Sequence, residues 1–284
     1  MSGIPKKVAA IHDLSCFGRC ALTVIIPILS ALGVQAVPVP TALLSTHTGG
    51  FTDMYFADLS REMDEISAHF STLGLKFDSI YSGFLGSEAQ IERVESFIDK
   101  FADKDAPILI DPVMGDDGEL YSTYTKELGD GMRRLVKKAD IITPNYTEAC
   151  FLTDTPYRPL DTLSEAETDA LAKDLLKKLS ALGAKKIAVT GFEVKDVVVT
   201  YGYDDGRIFT DRRPRISAGY PGTGDLFAST LLGFYLGGRD FESSTLCACK
   251  FTAEVIEYTS HYDTPRRDGV MLESCLKRLL EFTN

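Results

Sequence analysis

No stretch of this sequence approaches ~18 consecutive apolar residues, so nothing in it reads as a membrane-spanning helix. The chain is also poor in positive charge. Its 30 Lys and Arg stand against 41 Asp and Glu, a net charge of −11 over 284 residues. That balance argues against nucleic acid or an anionic membrane as a partner. An anionic substrate would need local compensation, from backbone N–H groups or a metal ion. Six cysteines are too few for a disulfide framework in a chain of this length, and Cys16/Cys20 and Cys247/Cys249 lack zinc-type spacing. They are expected to be mostly small core residues, which implies the cytoplasm. The apolar run at 8–12 is too short for the core of a signal peptide. Of the four histidines, His12 reads as a strand residue and His69 and His261 as surface. His47, between Thr46 and Thr48, is the site candidate.

Several catalytic signatures are missing as well. There is no Gly-x-x-x-x-Gly-Lys-Ser/Thr loop, no His-Glu-x-x-His and no Gly-x-Ser-x-Gly elbow. Gly222-Thr223-Gly224 begins a dinucleotide fingerprint that fails at Phe227, which disfavours a nicotinamide oxidoreductase.

The hydrophobic pattern alternates between strand and helix. Apolar runs at 8–13, 78–85, 107–113, 139–143 and 186–190 read as strands. Helical spacing covers 16–32 (closed by Gly33), 58–73, 126–138, 225–236, 241–259 and 270–282. Ser87 to Gln90 and Ser164 to Glu167 read as capping boxes, each opening a further helix. Pro38 and Pro40 make 34–44 irregular or near a sheet edge, 45–51 reads as a loop, and Asp205-Gly206 marks a hairpin turn. The expected fold is α/β: a mostly parallel central sheet with helices on both faces, in a single domain over 1–284. In such sheets ligands bind beyond the carboxyl ends of the strands. Asp13, the 82–84 segment, Asp111, Asn145, Glu148 and Thr190 should therefore gather along one edge, beside the glycine turn at 222–225.

That turn, Gly222-Thr223-Gly224-Asp225, precedes an apolar, helix-compatible run. Unpaired N–H groups at a helix start form an anion cradle. Asp225 is either the cap of that helix or a base facing an anionic substrate. Phosphoryl transfer suits the whole set, because it needs positioning and charge neutralisation more than covalent chemistry. Asp116 and Glu148 could then serve Mg²⁺, directly or through water.

Gly222-Thr223-Gly224-Asp225 and Asn145-Tyr146-Thr147-Glu148 resemble the signatures of the ribokinase-like superfamily. Within it, Asp111-Pro112-Val113-Met114-Gly115-Asp116, Ser82-Gly83-Phe84-Leu85-Gly86 and Ser45-Thr46-His47-Thr48 resemble the pyridoxal (vitamin B6) kinase group, in the group's order. The resemblance implies an ATP-dependent kinase for the hydroxymethyl group of pyridoxal, pyridoxamine or pyridoxine, acting as a homodimer. It implies Asp225 as base and Gly222, Thr223 and Gly224 as anion hole. Glu148 and Asp116 would serve Mg²⁺, and Asp111 and Thr143 a monovalent cation such as K⁺. Asn145, Tyr121 and Thr190 would approach the nucleotide phosphates, while Asp13, His47, Thr48 and Phe84 would surround the ring. Two positions depart from the group: Asp13 stands where Ser is usual, and Phe84 where Tyr is usual. The Asp is similar to one in hydroxymethylpyrimidine kinases of thiamine biosynthesis, which makes that substrate the alternative. A non-catalytic binder on the same fold is disfavoured by the intact Asp225.

Overall fold

Burial splits every central strand into two faces. In the computed structural model, which describes residues 3–121, 124–216 and 219–282, Val8 and Ala10 point to one side of the sheet and Ala9 and Ile11 to the other. Both sets are fully buried, as expected of parallel strands covered by helices on both faces.

In chain order the elements are β1 (Lys7–Phe17), α1 (Leu22–Ala31), β2 (Gln35–Thr46), β3 (Phe56–Asp58), α2 (Ser60–Thr72), β4 (Ser79–Ser82) and α3 (Glu88–Phe101). Then come β5 (Ile108–Ile110), β6 (Gly115–Asp116), β7 (Glu119–Leu120), α4 (Lys126–Val136), β8 (Ile141–Ile142), α5 (Tyr146–Leu152) and α6 (Glu165–Ala181). The chain closes with β9 (Lys186–Val194), β10 (Val197–Asp204), β11 (Arg207–Pro214), α7 (Thr223–Leu236), α8 (Phe241–Ser260) and α9 (Leu272–Glu281). Sheet order is β11-β10-β9-β8-β5-β4-β1-β2-β3, with β6 and β7 forming a separate hairpin. The six strands from β2 to β9 run parallel, while β3 and the β10–β11 hairpin are antiparallel margins. Helices α2 to α6 pack on one face and α1, α7 and α8 on the other, with α9 outside them. Truncating a central residue such as Ile11 to Ala should cost roughly 2–5 kcal/mol. Among the described residues no helix is long and apolar enough to cross a membrane.

Three sequence-based expectations change. The helix expected at 16–32 begins only at Leu22, because β1 continues to Phe17 and pairs with β2 as far as Thr46. Strand β2 runs on to Thr46, into the 45–51 stretch expected as a loop, while 34–44 lies near the sheet margin as expected and carries a register shift opposite His12 to Leu14. Its prolines are accommodated because β3 covers only Ala42 to Leu44, leaving Pro38 and Pro40 on the open margin. The box at Ser87 is only half formed. Ser87 accepts from the Gln90 N–H, but the buried Gln90 carboxamide turns to the Gly86 N–H and the Thr41 carbonyl instead. The box at Ser164 and Glu167 is complete, and Gly33 follows the end of α1 at φ +77°.

Candidate active site

Gly222 sits at φ +79°, and a Cβ there would lie 2.0 Å from the Arg19 carbonyl oxygen, so only glycine fits. No side chain caps α7, which leaves its first-turn N–H groups open toward the strand ends. The Thr223 hydroxyl donates to the Tyr220 carbonyl at 3.1 Å, so Thr223 can offer an anion its backbone N–H. Gly224 keeps the turn thin. A Cβ on it would face Asp111 Oδ2 at 3.8 Å, which places that carboxylate directly across from the turn.

Asp225 does not cap its own helix, and that reading falls. Its Oδ2 instead accepts the Ala21 N–H at 2.7 Å. Ala21 stands at φ +48°, ψ −134°, a conformation costly for a residue with a Cβ. Desolvation raises Asp225 to about 7, opposed by the Ala21 N–H and reinforced by the negative Asp13. A carboxyl titrating near neutrality is suited to general-base work.

The next strand ends carry the other acids. Asn145 and Glu148 form a complete capping box on α5. Glu148 Oε2 accepts the Asn145 N–H at 2.8 Å and Oε1 the Met114 N–H at 2.9 Å. Burial nevertheless raises it to about 7. Asn145 Oδ1 accepts the Glu148 N–H and Nδ2 donates to the Gly115 carbonyl, which ties α5 to the β6–β7 hairpin. Thr190 is held beside Asn145, its N–H donating to Pro144. Asp116 is exposed on the hairpin, its Oδ1 accepting the Asp117 N–H, and desolvation shifts it upward. Tyr121 follows the hairpin; desolvation and then the neighbouring Glu148 and Asp116 raise its phenol.

Asp111 is 5% exposed, and burial, then Glu148 and Asp225, push it well above the ordinary carboxylate range. The nearby Thr143 hydroxyl opposes that rise, yet it is buried without a well-formed hydrogen bond. A buried acid beside an unsatisfied hydroxyl fits a monovalent cation. For Mg²⁺, the residues present suit an ion that keeps its waters. Both Glu148 oxygens already serve backbone N–H groups, and among the described residues no cluster of three or more His, Cys, Asp or Glu side chains forms a cage.

At the opposite end, Asp13 is buried and accepts the Ser15 hydroxyl at 2.9 Å. It does not cap α1, whose N-cap is Ala21. Desolvation raises Asp13, with Ser15 and then His47 opposing. Cys20 is buried nearby; desolvation, then Asp225 and Asp13, push its thiol up. His47 has both nitrogens engaged, Nδ1 accepting the Gly49 N–H at 3.0 Å and Nε2 donating to the Arg267 carbonyl at 2.7 Å. It is therefore a pin between two loops rather than a free ligand. Thr48 is exposed, and Phe84 is half-buried, its carbonyl accepting from Thr41. Sequence reasoning missed two contributors, Ala21 and His12. His12 lies with Nδ1 4.0 Å from Asp225 Oδ1. Its parity with Val8 and Ala10 was the available signal.

A helix start with open N–H groups, a buried acid beside it and acids at successive strand ends are the parts that phosphoryl transfer calls for. Residues 26–267 match the phosphomethylpyrimidine kinase family, and the chain belongs to it. A Bacteroides thetaiotaomicron protein, provisionally assigned as a phosphomethylpyrimidine kinase, is 40% identical, with TM-score 0.92 over 98% of this chain and 95% of that one. Its second crystal form contains pyridoxal. Pyridoxal kinase from Lactobacillus plantarum is 28% identical, with TM-score 0.87 over 98% of each chain. A Schizosaccharomyces pombe protein provisionally named a pyridoxal kinase is 31% identical over 69% of this chain, a match that spans 58% of its own length. The chain is thus a member of the phosphomethylpyrimidine kinase family that shares its fold with a pyridoxal kinase.

Proposed function

We propose that the protein transfers the γ-phosphoryl group of ATP to the 5′-hydroxymethyl group of a B6 vitamer, on one kinase domain spanning the chain. The observation that carries this reading is Asp225, raised to about 7 and held by the Ala21 N–H beside the open start of α7. The acceptor hydroxyl gives its proton to Asp225 as its oxygen attacks phosphorus. The N–H groups at Gly222, Thr223, Gly224 and Asp225 take the charge on the transferring oxygens. Asn145 keeps one Nδ2 hydrogen for a phosphate, with Thr190 and Tyr121 on the same side. Mg²⁺, near Asp116 and Glu148, would neutralise the nucleotide phosphates. A cation at Asp111 and Thr143 would offset the acidic floor. Asp13 faces the ring, where it can pair with a protonated ring nitrogen or amine. His47, Thr48 and Phe84 frame the same end. Family likeness further supports a cytoplasmic homodimer, which sedimentation at micromolar concentration tests.

Hydroxymethylpyrimidine is the second reading, favoured by Asp13 and by the name of the family model. One experiment addresses both. Mg-ATP is supplied with pyridoxal, pyridoxamine, pyridoxine or hydroxymethylpyrimidine, and ADP is followed. Turnover is expected with at least one pyridine alcohol. Turnover with the pyrimidine alone would replace the vitamer reading, and none with any of the four would end both.

A further inference from the structure

His12 borders the site, yet the reaction just described leaves it without a task. Val8 and Ala10 of β1 face α1 and α7. Two residues further, His12 continues on that face and is 1% exposed. Its ring packs edge-on against Tyr81, with centroids 4.3 Å apart. Gly83 makes room for it, since a Cβ there would lie 2.3 Å from the ring's Cε1. The ring is therefore wedged between two strands. Its Nδ1 stands 4.0 Å from Asp225 Oδ1, the oxygen that Ala21 does not hold. That is too long for a hydrogen bond. Burial lowers His12 to about 3, so the ring is neutral and forms no ion pair. Among the described residues, Nε2 is buried without a well-formed hydrogen bond.

We propose that His12 is a positioning residue for Asp225: its ring keeps water from the side of the carboxylate that Ala21 leaves open, and so sets the direction and the basicity of Oδ1. The inference rests on Asp225 being the base. The groups facing Asp225 are His12 and Asp13 from β1, Cys20 ahead of α1, Tyr81 from β4, Asp111 after β5 and Tyr121 after β7. None of them is cationic at neutral pH. Admitting water is thus the direct way to return Asp225 toward the ordinary carboxylate range.

The test measures kcat, KM and the acid limb of kcat/KM for His12→Ala, His12→Gln and Asp225→Asn, with ADP affinity as the check on folding. His12→Ala is expected to lower kcat at least ~10-fold, as misplaced catalytic groups do, with KM for ATP within about twofold. Its acid limb should change from a two-proton to a one-proton fall, Glu148 alone still titrating at about 7, because partly relieved desolvation lowers Asp225. Gln, of similar reach and neutral, should restore most of both. An Ala variant with unchanged kcat and acid limb would overturn the proposal. So would Ala and Gln variants equally impaired with the limb unmoved. If the Ala variant loses ADP binding, His12→Asn, shorter than Gln yet polar, takes its place under the same criteria. Full activity in Asp225→Asn would instead remove the base reading itself.

Discussion

Asn145 and Glu148, at the phosphate end of the cleft, bond to each other across three residues, whereas Ala21 reaches Asp225 across 204 and His47 reaches Arg267 across 220. The phosphate end is therefore built from local geometry: a helix start, a capping box and a glycine turn, each offering backbone N–H groups. Such parts are pre-organised wherever the short sequence occurs. The ring end is assembled by distant loops that meet only when the sheet closes, and its acid, Asp13, accepts the Ser15 hydroxyl. On the proposed assignment, the first end can serve any substrate that brings a phosphoryl group, while the second must suit one ring. That contrast assigns chemistry to one end and specificity to the other, and it can be attacked from either side.

The largest effect should come from Gly222→Ala. Its Cβ has no space and its φ is unfavourable, so the anion cradle is displaced and turnover falls by roughly 10²–10³, the scale of losing an oxyanion-type donor. Affinity for pyridoxal by calorimetry should stay within about threefold. An equal loss there would show that the two ends are not independent.

Asp225→Asn should lower turnover by at least ~10² while stabilising the fold at high pH. A carboxyl whose folded pKa is raised to about 7 disfavours folding above that pH, and the penalty is gone below the unfolded value of 3.8. The side chain is 16% exposed, so the gain is a fraction of the ~4 kcal/mol that full burial would imply. Thermal melts should show a rise of a few degrees at pH 8 that fades toward pH 4. A melting difference independent of pH would contradict the assignment.

The pH profile probes both acids near the phosphates. Asp225 and Glu148 each titrate at about 7, and the reaction needs both ionised, so kcat/KM should fall as pH drops through 7. The fall should be steeper than one proton allows. In Glu148→Gln the limb should return to a single proton, and an unchanged steepness would exclude Glu148 from the titration.

The smallest effect belongs to the ring end. His47→Ala removes two loop-holding hydrogen bonds and should raise KM for the ring alcohol roughly 2–10-fold, the value of one such bond, with kcat within about twofold. A loss confined to kcat would mean that the loop acts on the chemistry instead.

The alternation of strand and helix, and hence a parallel sheet covered on both faces, was legible because apolar periodicity is local. The margins were less so. Pro38 and Pro40 correctly pointed to an edge but hid the length of the strand there, since only the short reach of β3 makes them tolerable. The Asn145–Glu148 pairing was visible as a motif, but not as a capping box that occupies both carboxylate oxygens, because the Met114 donor comes from another strand end. Asp225 was ambiguous between cap and base for a related reason: its partner is the distant Ala21, not its own helix. His12 was read as an ordinary strand residue, which it is. Its importance comes from what α7 brings against it.

The strand–helix alternation, the glycine turn, the strand-end acids and with them the expectation of phosphoryl transfer were readable from the chain alone, because each depends on residues close in sequence. The folded chain alone fixes which oxygen of Asp225 is held, that His47 serves as a pin, that Asp111 lies across from Gly224 and that His12 stands 4.0 Å from Asp225. Those facts are distances between segments about 110 to 220 residues apart. Such distances exist only once burial of the two sheet faces has brought the strand ends together.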